Sequence, residues 1–288
     1  MIKELKATAK LMQGKTLDTV YIGGGTPTTL EADQLDRLLG TIRENFDLEH
    51  VLEFTVEAGR PDSITREKLE VIRKYPVTRI SVNPQTMQQK TLDLVGRKHT
   101  VEDVEQIFHL ARELGFDNIN MDLIAGLPGE DAADMQDTLE KIEKLHPDSL
   151  TVHALAIKRA AKFGQEGRTM DPGTEITQMV EAAAASAERM GLVPYYLYRQ
   201  KNIAGTLRMS DMQRRTRRVY NILIMEERQT IIACGAGSTT KLVLPEKIKT
   251  SSGKETNLIR VENVKNITEY IDRIDEMIER KEALFEKD

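Results

Sequence analysis

Tyr21-Ile22-Gly23-Gly24-Gly25-Thr26-Pro27-Thr28 closes a short apolar run on a glycine turn, and later stretches repeat the pattern. Phe54-Thr55-Val56-Glu57-Ala58-Gly59 runs into an acid. Ser81-Val82-Asn83-Pro84-Gln85 runs into polar residues around a proline. Asn120-Met121-Asp122-Leu123-Ile124-Ala125-Gly126-Leu127-Pro128-Gly129 runs through an aspartate into a second glycine turn. Each run is apolar and β-branched, and each is followed by a helical pattern. That is the rhythm of parallel strands in a β/α barrel or a doubly wound sheet. In both folds, polar side chains at the carboxyl ends of the strands converge on one ligand site.

Working outward, strands are expected over 20–22, 51–56, 79–82, 119–124 and 150–157. Helices are expected over 3–13, 30–45 and 65–75, from Thr100 to just before Gly115, and over 134–145. Leu35, Leu38, Leu39 and Ile42 form one helical stripe, and Val104, Ile107, Phe108 and Ala111 form another. Thr65 suits an N-cap, and Thr100 with Asp103 has the spacing of a capping box. The strands recur roughly every thirty residues, about the length of a βαβ unit, with no accompanying sequence repeat. After Lys158 the rhythm fails. A polar loop (160–172) and an alanine-rich helix (174–190) lead to short strands at 195–199, 221–226 and 230–234 and a charged helix at 267–286. A boundary is expected near 160, separating 1–160 from 161–288.

The composition agrees with this class. The chain has 288 residues, 40% hydrophobic and 30% charged, enough for one large domain or two smaller ones. A net charge of −5 argues against a general nucleic-acid binder. No stretch reaches the ~18 consecutive apolar residues of a membrane span. The first residues (Lys3, Glu4, Lys6, Lys10) show no apolar core of a signal peptide. The single cysteine, Cys234, leaves no intrachain disulfide and suits a reducing cytoplasm.

Each candidate residue has a bland reading beside the functional one. The three glycines at 23–25 expose free backbone to a ligand, or simply make a tight strand-to-helix turn. The motif is neither G-x-G-x-x-G nor a P-loop. Glu57, Gln85 and Asp122 could each be structural alone. Three polar groups aimed at one end suit a small polar ligand better. Arg97 reads by itself as a solvated charge. His99 and His153 are placed where a site could use them, yet none of the histidines shows metal spacing. Cys234 reads as a buried, inert thiol. The residues alone support an α/β barrel that binds a small polar ligand.

Taken together, YIGGGTPT, the Glu57 strand, SVNPQT with LVGRKHT, and MDLIAGLPGE resemble, in order, the radical S-adenosylmethionine (SAM) oxygen-independent coproporphyrinogen III oxidase family. SVNPQTM and PYYLYRQKNIAG at 194–205 are most similar to its HemZ branch. The resemblance implies a partial (β/α) TIM-like barrel lacking its first strand, with a smaller C-terminal α+β region that completes the barrel and the substrate side. It implies that Gly24, Gly25 and Thr26 hold the methionyl amino end of SAM. Glu57, Gln85 and Arg97 match polar contacts to SAM, Asp122 a contact near the ribose and adenine, and Ala156 a backbone contact to adenine. A zwitterionic ligand end wants both an acceptor and a cation, and only the resemblance moves Arg97 from surface charge to ligand contact. The implied activity is oxidative decarboxylation of coproporphyrinogen III to protoporphyrinogen IX. It would use SAM, a [4Fe–4S] cluster and an electron donor such as flavodoxin or ferredoxin, with no nucleic-acid or membrane partner. Haem-chaperone relatives and a non-catalytic remnant are the other readings.

Two departures stand out. The family's cluster sits on three cysteines in a C-x3-C-x2-C loop upstream of GGGTPT, and this sequence has no cysteine before Cys234. This implies an N-terminally truncated copy, unable as written to cleave SAM reductively. Second, Thr206–Val219 reads TLRMSDMQRRTRRV. A codon string for the HemZ-like peptide NFENVGYAAPDKAGIYN yields this stretch when read one base later. Compensating indels therefore account for it, with a functional basic patch as the rival reading.

Overall fold

The computed structural model describes residues 1–155, 172–198, 209–213, 220–227, 229–249, 253 and 255–286. The chain divides into two compact units. One comprises residues 21–35 and 53–217, and the other comprises residues 1–20, 36–52 and 218–288.

The first unit is built on a seven-stranded sheet in the order β1-β2-β3-β4-β5-β7-β6. The strands are β1 (Thr19–Ile22), β2 (Glu53–Gly59), β3 (Arg79–Val82), β4 (Ile119–Ala125), β5 (Ser149–Ala154), β6 (Val193–Tyr198) and β7 (Met209–Gln213). β2 to β5 pair in parallel, and β7 pairs antiparallel with β5 and β6. Its helices are α3 (Arg66–Arg73), α4 (Gln89–Leu94), α5 (Val101–Glu113), α6 (Ala132–Leu145) and α7 (Pro172–Arg189); α1 (Ile2–Leu11) belongs to the other unit, and α2 (Ala32–Asn45) is divided between the two at residue 36.

The helices start where short polar side chains satisfy the free N–H groups of the first turn. Thr65 caps α3. Thr100 and Asp103 form the expected reciprocal box on α5, and Asp131 with Asp134 forms another on α6. α6 ends at His146, which takes a left-handed conformation (φ 57°) before Pro147.

Side chains alternate across a strand, and here the alternation divides chemistry. One face carries Phe54, Val56, Ala58, Ile80, Val82, Ile119, Met121, Leu123, Leu150 and Val152, all buried. The helices contribute Leu69, Ile72, Phe108, Leu139, Ile142, Met179 and Ala183 to the core. Each large apolar side chain buried in this way contributes roughly 1.5–3 kcal/mol before entropy is counted. The opposite face carries Glu53, Thr55 and Glu57 on β2, Arg79 and Ser81 on β3, Asn120 and Asp122 on β4, and Ser149, Thr151 and His153 on β5. Most of these are also buried. The sheet thus hides a polar face, and each polar group there needs a partner.

The second unit contains α1, α8 (Tyr220–Glu226), the hairpin β8 (Thr239–Lys249) and β9 (Glu255–Glu262), α9 (Ile267–Asp272) and α10 (Ile274–Phe285). α1 packs on α10 around a buried carboxylate. Glu4 accepts from the Gly235 N–H (2.9 Å), the Asn263 amide (2.7 Å), the Tyr270 hydroxyl and the Lys281 ammonium. Glu4 and Lys281 are 0% and 2% exposed, an ion pair removed from water. Burial pushes the Glu4 carboxyl up, but the hydrogen bonds from Lys281, Tyr270 and Asn263 outweigh it and hold it below the usual range.

Several expectations need correction. Residues 221–226 are helical, because a short apolar run carries no periodicity to separate strand from helix. Within 230–234 only Ile231 pairs, as an isolated bridge to Lys241. The β8–β9 hairpin and α4 were not anticipated. β8 carries Pro245 inside a charged stretch, and its register shifts between Val243 and Ile248, where proline cannot donate. The C-terminal helix breaks at Arg273. Residues 156–157 of the fifth expected strand lie outside the described residues, as do 206–208 and 214–219.

Candidate functional site

The glycine turn after β1 is shaped by two different needs. A Cβ on Gly23 would strike Tyr21 and come within 2.7 Å of Glu57 Oε2, so there is no room for a side chain. Gly24 has φ +98°, the left-handed region that favours glycine. A Cβ on Gly24 or Gly25 would meet nothing within 4 Å, so their backbone faces open space. Thr26 leans its methyl toward Gly59, 3.3 Å from where a Cβ would sit there, and its carbonyl accepts from the Thr29 N–H (2.9 Å) and hydroxyl (2.7 Å).

Glu57, inside β2 rather than at its end, reaches this turn. Its carboxylate accepts from the Tyr21 hydroxyl and, at 3.4 Å, from the Gly24 N–H. Burial first, and then the charge of Asp122, push the Glu57 carboxyl up; the Gly24 N–H and Arg79 pull the other way. Asp122, in mid-β4, accepts from the Asn120 amide at 2.6 Å. The Asn120 carbonyl is in turn held by Ser149 (2.6 Å) and Thr151 (3.3 Å).

Gln85 follows β3 with φ 70°, uncommon for a residue with a side chain. Its N–H donates to the Asp122 carbonyl (3.0 Å), and its own carbonyl accepts from the Ile124 N–H (2.9 Å). Two further polar atoms on this strand and the turn after it, Ser81 Oγ and Asn83 Oδ1, are buried with no hydrogen-bond partner. An orphaned polar atom in a protein interior costs free energy unless a ligand completes it. The sequence hid Ser81 inside what reads as an ordinary apolar strand, and Asn83 among the polar residues of the turn that follows it.

Arg97 lies on the loop before α5, half-buried; its N–H donates to the Leu92 carbonyl (2.9 Å), while its guanidinium makes no hydrogen bond or ion pair among the described residues. Burial, and then neighbouring Arg60, pull its pKa down, while Asp62 opposes. Arg60 is already spent on Asp62 in a two-pronged contact (3.0 and 2.7 Å). His99 is fully buried, 3.8 Å from Asp62 and beside the Pro84 carbonyl, and burial pushes its pKa down, so it stays neutral.

Hydrogen bonds join Gly24 to Glu57 and the Asp122 backbone to Gln85, and Asp122 acts on Glu57 through its charge. Thr26 packs beside the end of β2, and Arg97 approaches through Arg60 and Asp62. Ala156 lies outside the described residues. Among the described residues no group of acids, histidines or cysteines could hold a metal ion. Cys234 shares a 3.4 Å contact with the Thr8 hydroxyl, and burial pushes its thiol up, away from thiolate chemistry. The site is rich in acceptors (two carboxylates, a hydroxyl, an amide oxygen), with one uncommitted guanidinium. That combination suits a small zwitterion with further hydroxyls.

A parallel sheet with a buried polar face beside a glycine turn is an α/β architecture, and residues 2–142 match the Radical SAM superfamily. The chain belongs to that superfamily. It is 44% identical over 279 residues to the oxygen-independent coproporphyrinogen-III oxidase-like protein HemZ of Bacillus subtilis (strain 168), covering 93% of this chain and 54% of that protein. It is 34% identical over 187 residues to the haem chaperone HemW of the same organism, covering 62% of this chain and 48% of that protein. The crystallographic fold of coproporphyrinogen III oxidase (HemN) from Escherichia coli superposes with a TM-score of 0.70 at 22% identity, covering 96% of this chain and 62% of that one. The chain thus spans about half the length of the curated relatives it matches.

Proposed function

We propose that this chain binds SAM across the polar strand ends, as part of a HemZ-like radical SAM oxidoreductase acting on a porphyrinogen in a reducing cytoplasm. One observation carries the reading: Glu57 is tied to the Gly24 turn and electrostatically coupled to Asp122. Two carboxylates that act on each other's charge suit a ligand that brings one small cation. In this reading Gly24, Gly25 and Thr26 offer backbone to the methionyl end. Glu57 and Gln85 accept from its ammonium, Arg97 takes its carboxylate, and Asp122 receives a ribose hydroxyl. Ala156 is assigned to the adenine by family resemblance alone. Ser81 and Asn83 supply acceptors that a ligand diol would complete.

Radical SAM chemistry draws its electron from a [4Fe–4S] cluster on cysteine thiolates. The residues of this chain do not fit such a cluster, because its one cysteine, Cys234, is engaged with Thr8. Oxidative decarboxylation by the parent protein, with a flavodoxin- or ferredoxin-type donor, would need thiolates from beyond these 288 residues. This chain's own part is to bind and orient SAM. Titration calorimetry with SAM tests it: measurable binding that Arg97→Ala and Asp122→Asn each weaken supports the reading. Absence of binding, or binding indifferent to both variants, overturns it. Haem carriage is the second reading, favoured by the identity to HemW. Haem titration of the same protein distinguishes the two.

A further inference from the structure

Gln85 holds a strained backbone at the point where β3 meets β4, and strain of this kind persists only when its surroundings enforce it. The next residues are strapped to the start of α6. The Thr86 hydroxyl donates to Glu130 Oε1 at 2.5 Å, and both residues are 1% exposed. The Met87 N–H donates to the Thr138 hydroxyl (3.3 Å), and the Met87 carbonyl accepts from Lys141 (3.1 Å). The Gln88 amide reaches the Asp134 carbonyl (3.1 Å) and the Asp137 carboxylate (2.6 Å). Glu130 is the buried anchor of this strap. It comes from the glycine turn after β4, so one hydrogen bond joins the two loops that flank Gln85. The Glu130 carboxyl is buried and engages Thr86, the residue after Gln85.

We propose that Glu130 is a positioning residue: through Thr86 it fixes the left-handed turn of Gln85, and with it the distance between the β3 and β4 polar side chains. The proposal rests on the SAM reading above for its functional consequence, but its structural half stands alone. Burial pushes the Glu130 carboxyl up, with the surrounding threonine hydroxyls opposing. A glutamine keeps the oxygen that accepts from Thr86 and should therefore hold the same turn.

The experiment uses the full chain with Thr86→Val, which removes the hydroxyl and keeps the shape, and Glu130→Gln, which keeps the acceptor. Amide hydrogen exchange at Gln85 and Ile124 is read without ligand, and SAM affinity is read by calorimetry. Loss of the Thr86–Glu130 hydrogen bond, with the longer contacts of the same hydroxyl to the Gln88 N–H (3.2 Å) and Thr138 (3.4 Å), predicts at least about tenfold faster exchange at both amides and about tenfold weaker SAM binding in Thr86→Val. Glu130→Gln should remain within about twofold of the parent on both. Unchanged exchange at those amides in Thr86→Val overturns the proposal. So does faster exchange with unchanged affinity, or a Glu130→Gln variant as damaged as Thr86→Val. A parent chain that binds no SAM refutes the functional reading, while the exchange data still decide the strap. If Thr86→Val does not fold, Thr138→Val opens the same strap and is judged by the same two readouts.

Discussion

Replacing Gly23 by alanine adds a methyl group that has nowhere to go. The new carbon would strike Tyr21 and lie 2.7 Å from Glu57 Oε2 and 2.9 Å from Glu57 Cδ. A flexible carboxylate could normally swing aside, but this one is held by the Tyr21 hydroxyl and the Gly24 N–H. Moving it sacrifices both contacts. A hydrogen bond to a charged group contributes about 1.5–3 kcal/mol. At 3.4 Å the Gly24 contact falls below that range. About 2 kcal/mol in total, or roughly thirtyfold in SAM affinity, is the expected loss. Gly25→Ala is the control. Its methyl enters open space, so the melting temperature should not change, and affinity falls only if the ligand lies against that backbone. Calorimetry and thermal denaturation on the two variants decide the matter. A Gly23→Ala protein that binds SAM within twofold of the parent would show that Glu57 does not organise the site.

Glu57→Gln separates stability from binding. The folded carboxyl sits above 4.5, so the folded state binds this proton more tightly than the unfolded one, and the group's contribution to stability declines as pH rises above 4.5. The glutamine variant should therefore melt higher than the parent at pH 8, lose that advantage as pH falls toward 4.5, and bind SAM about tenfold more weakly. In the second unit, Lys281→Met strands a buried Glu4 carboxylate and should cost about 3–5 kcal/mol in urea denaturation. Adding Glu4→Gln should recover part of that loss, and a variant as stable as the parent would refute the pairing. Glu4 itself, held below 4.5, stabilises the parent above that pH and ceases to do so on acidification. Sequencing the gene across codons 206–219 tests the out-of-frame origin of the arginine-rich stretch; an uninterrupted frame there would disprove it.

The sequence was most legible where punctuation is strong. Glycine turns, prolines and the Thr100–Asp103 cap delimited β1 to β5 and their helices closely. Glu57 and Asp122 stood out because acids interrupt apolar runs, and the charge of Asp122 does act on Glu57. Ser81 and Asn83 did not stand out, because a hydroxyl inside a strand, or an amide in the turn after it, betrays nothing until its neighbours are known. Glu130 read as a loop acid, and only its burial against Thr86 gives it weight. The β8–β9 hairpin escaped because half of β8 is exposed and charged, with no alternation to mark it.

The two-faced sheet has an evolutionary corollary. Val56, Ile80, Met121 and Val152 fill the apolar face, while the ligand contacts proposed above fall to Glu57, Ser81, Asp122 and their neighbours, one residue away on the same strands. Substitutions on the second set leave the first untouched, so a lineage can exchange what it recognises without rebuilding its scaffold.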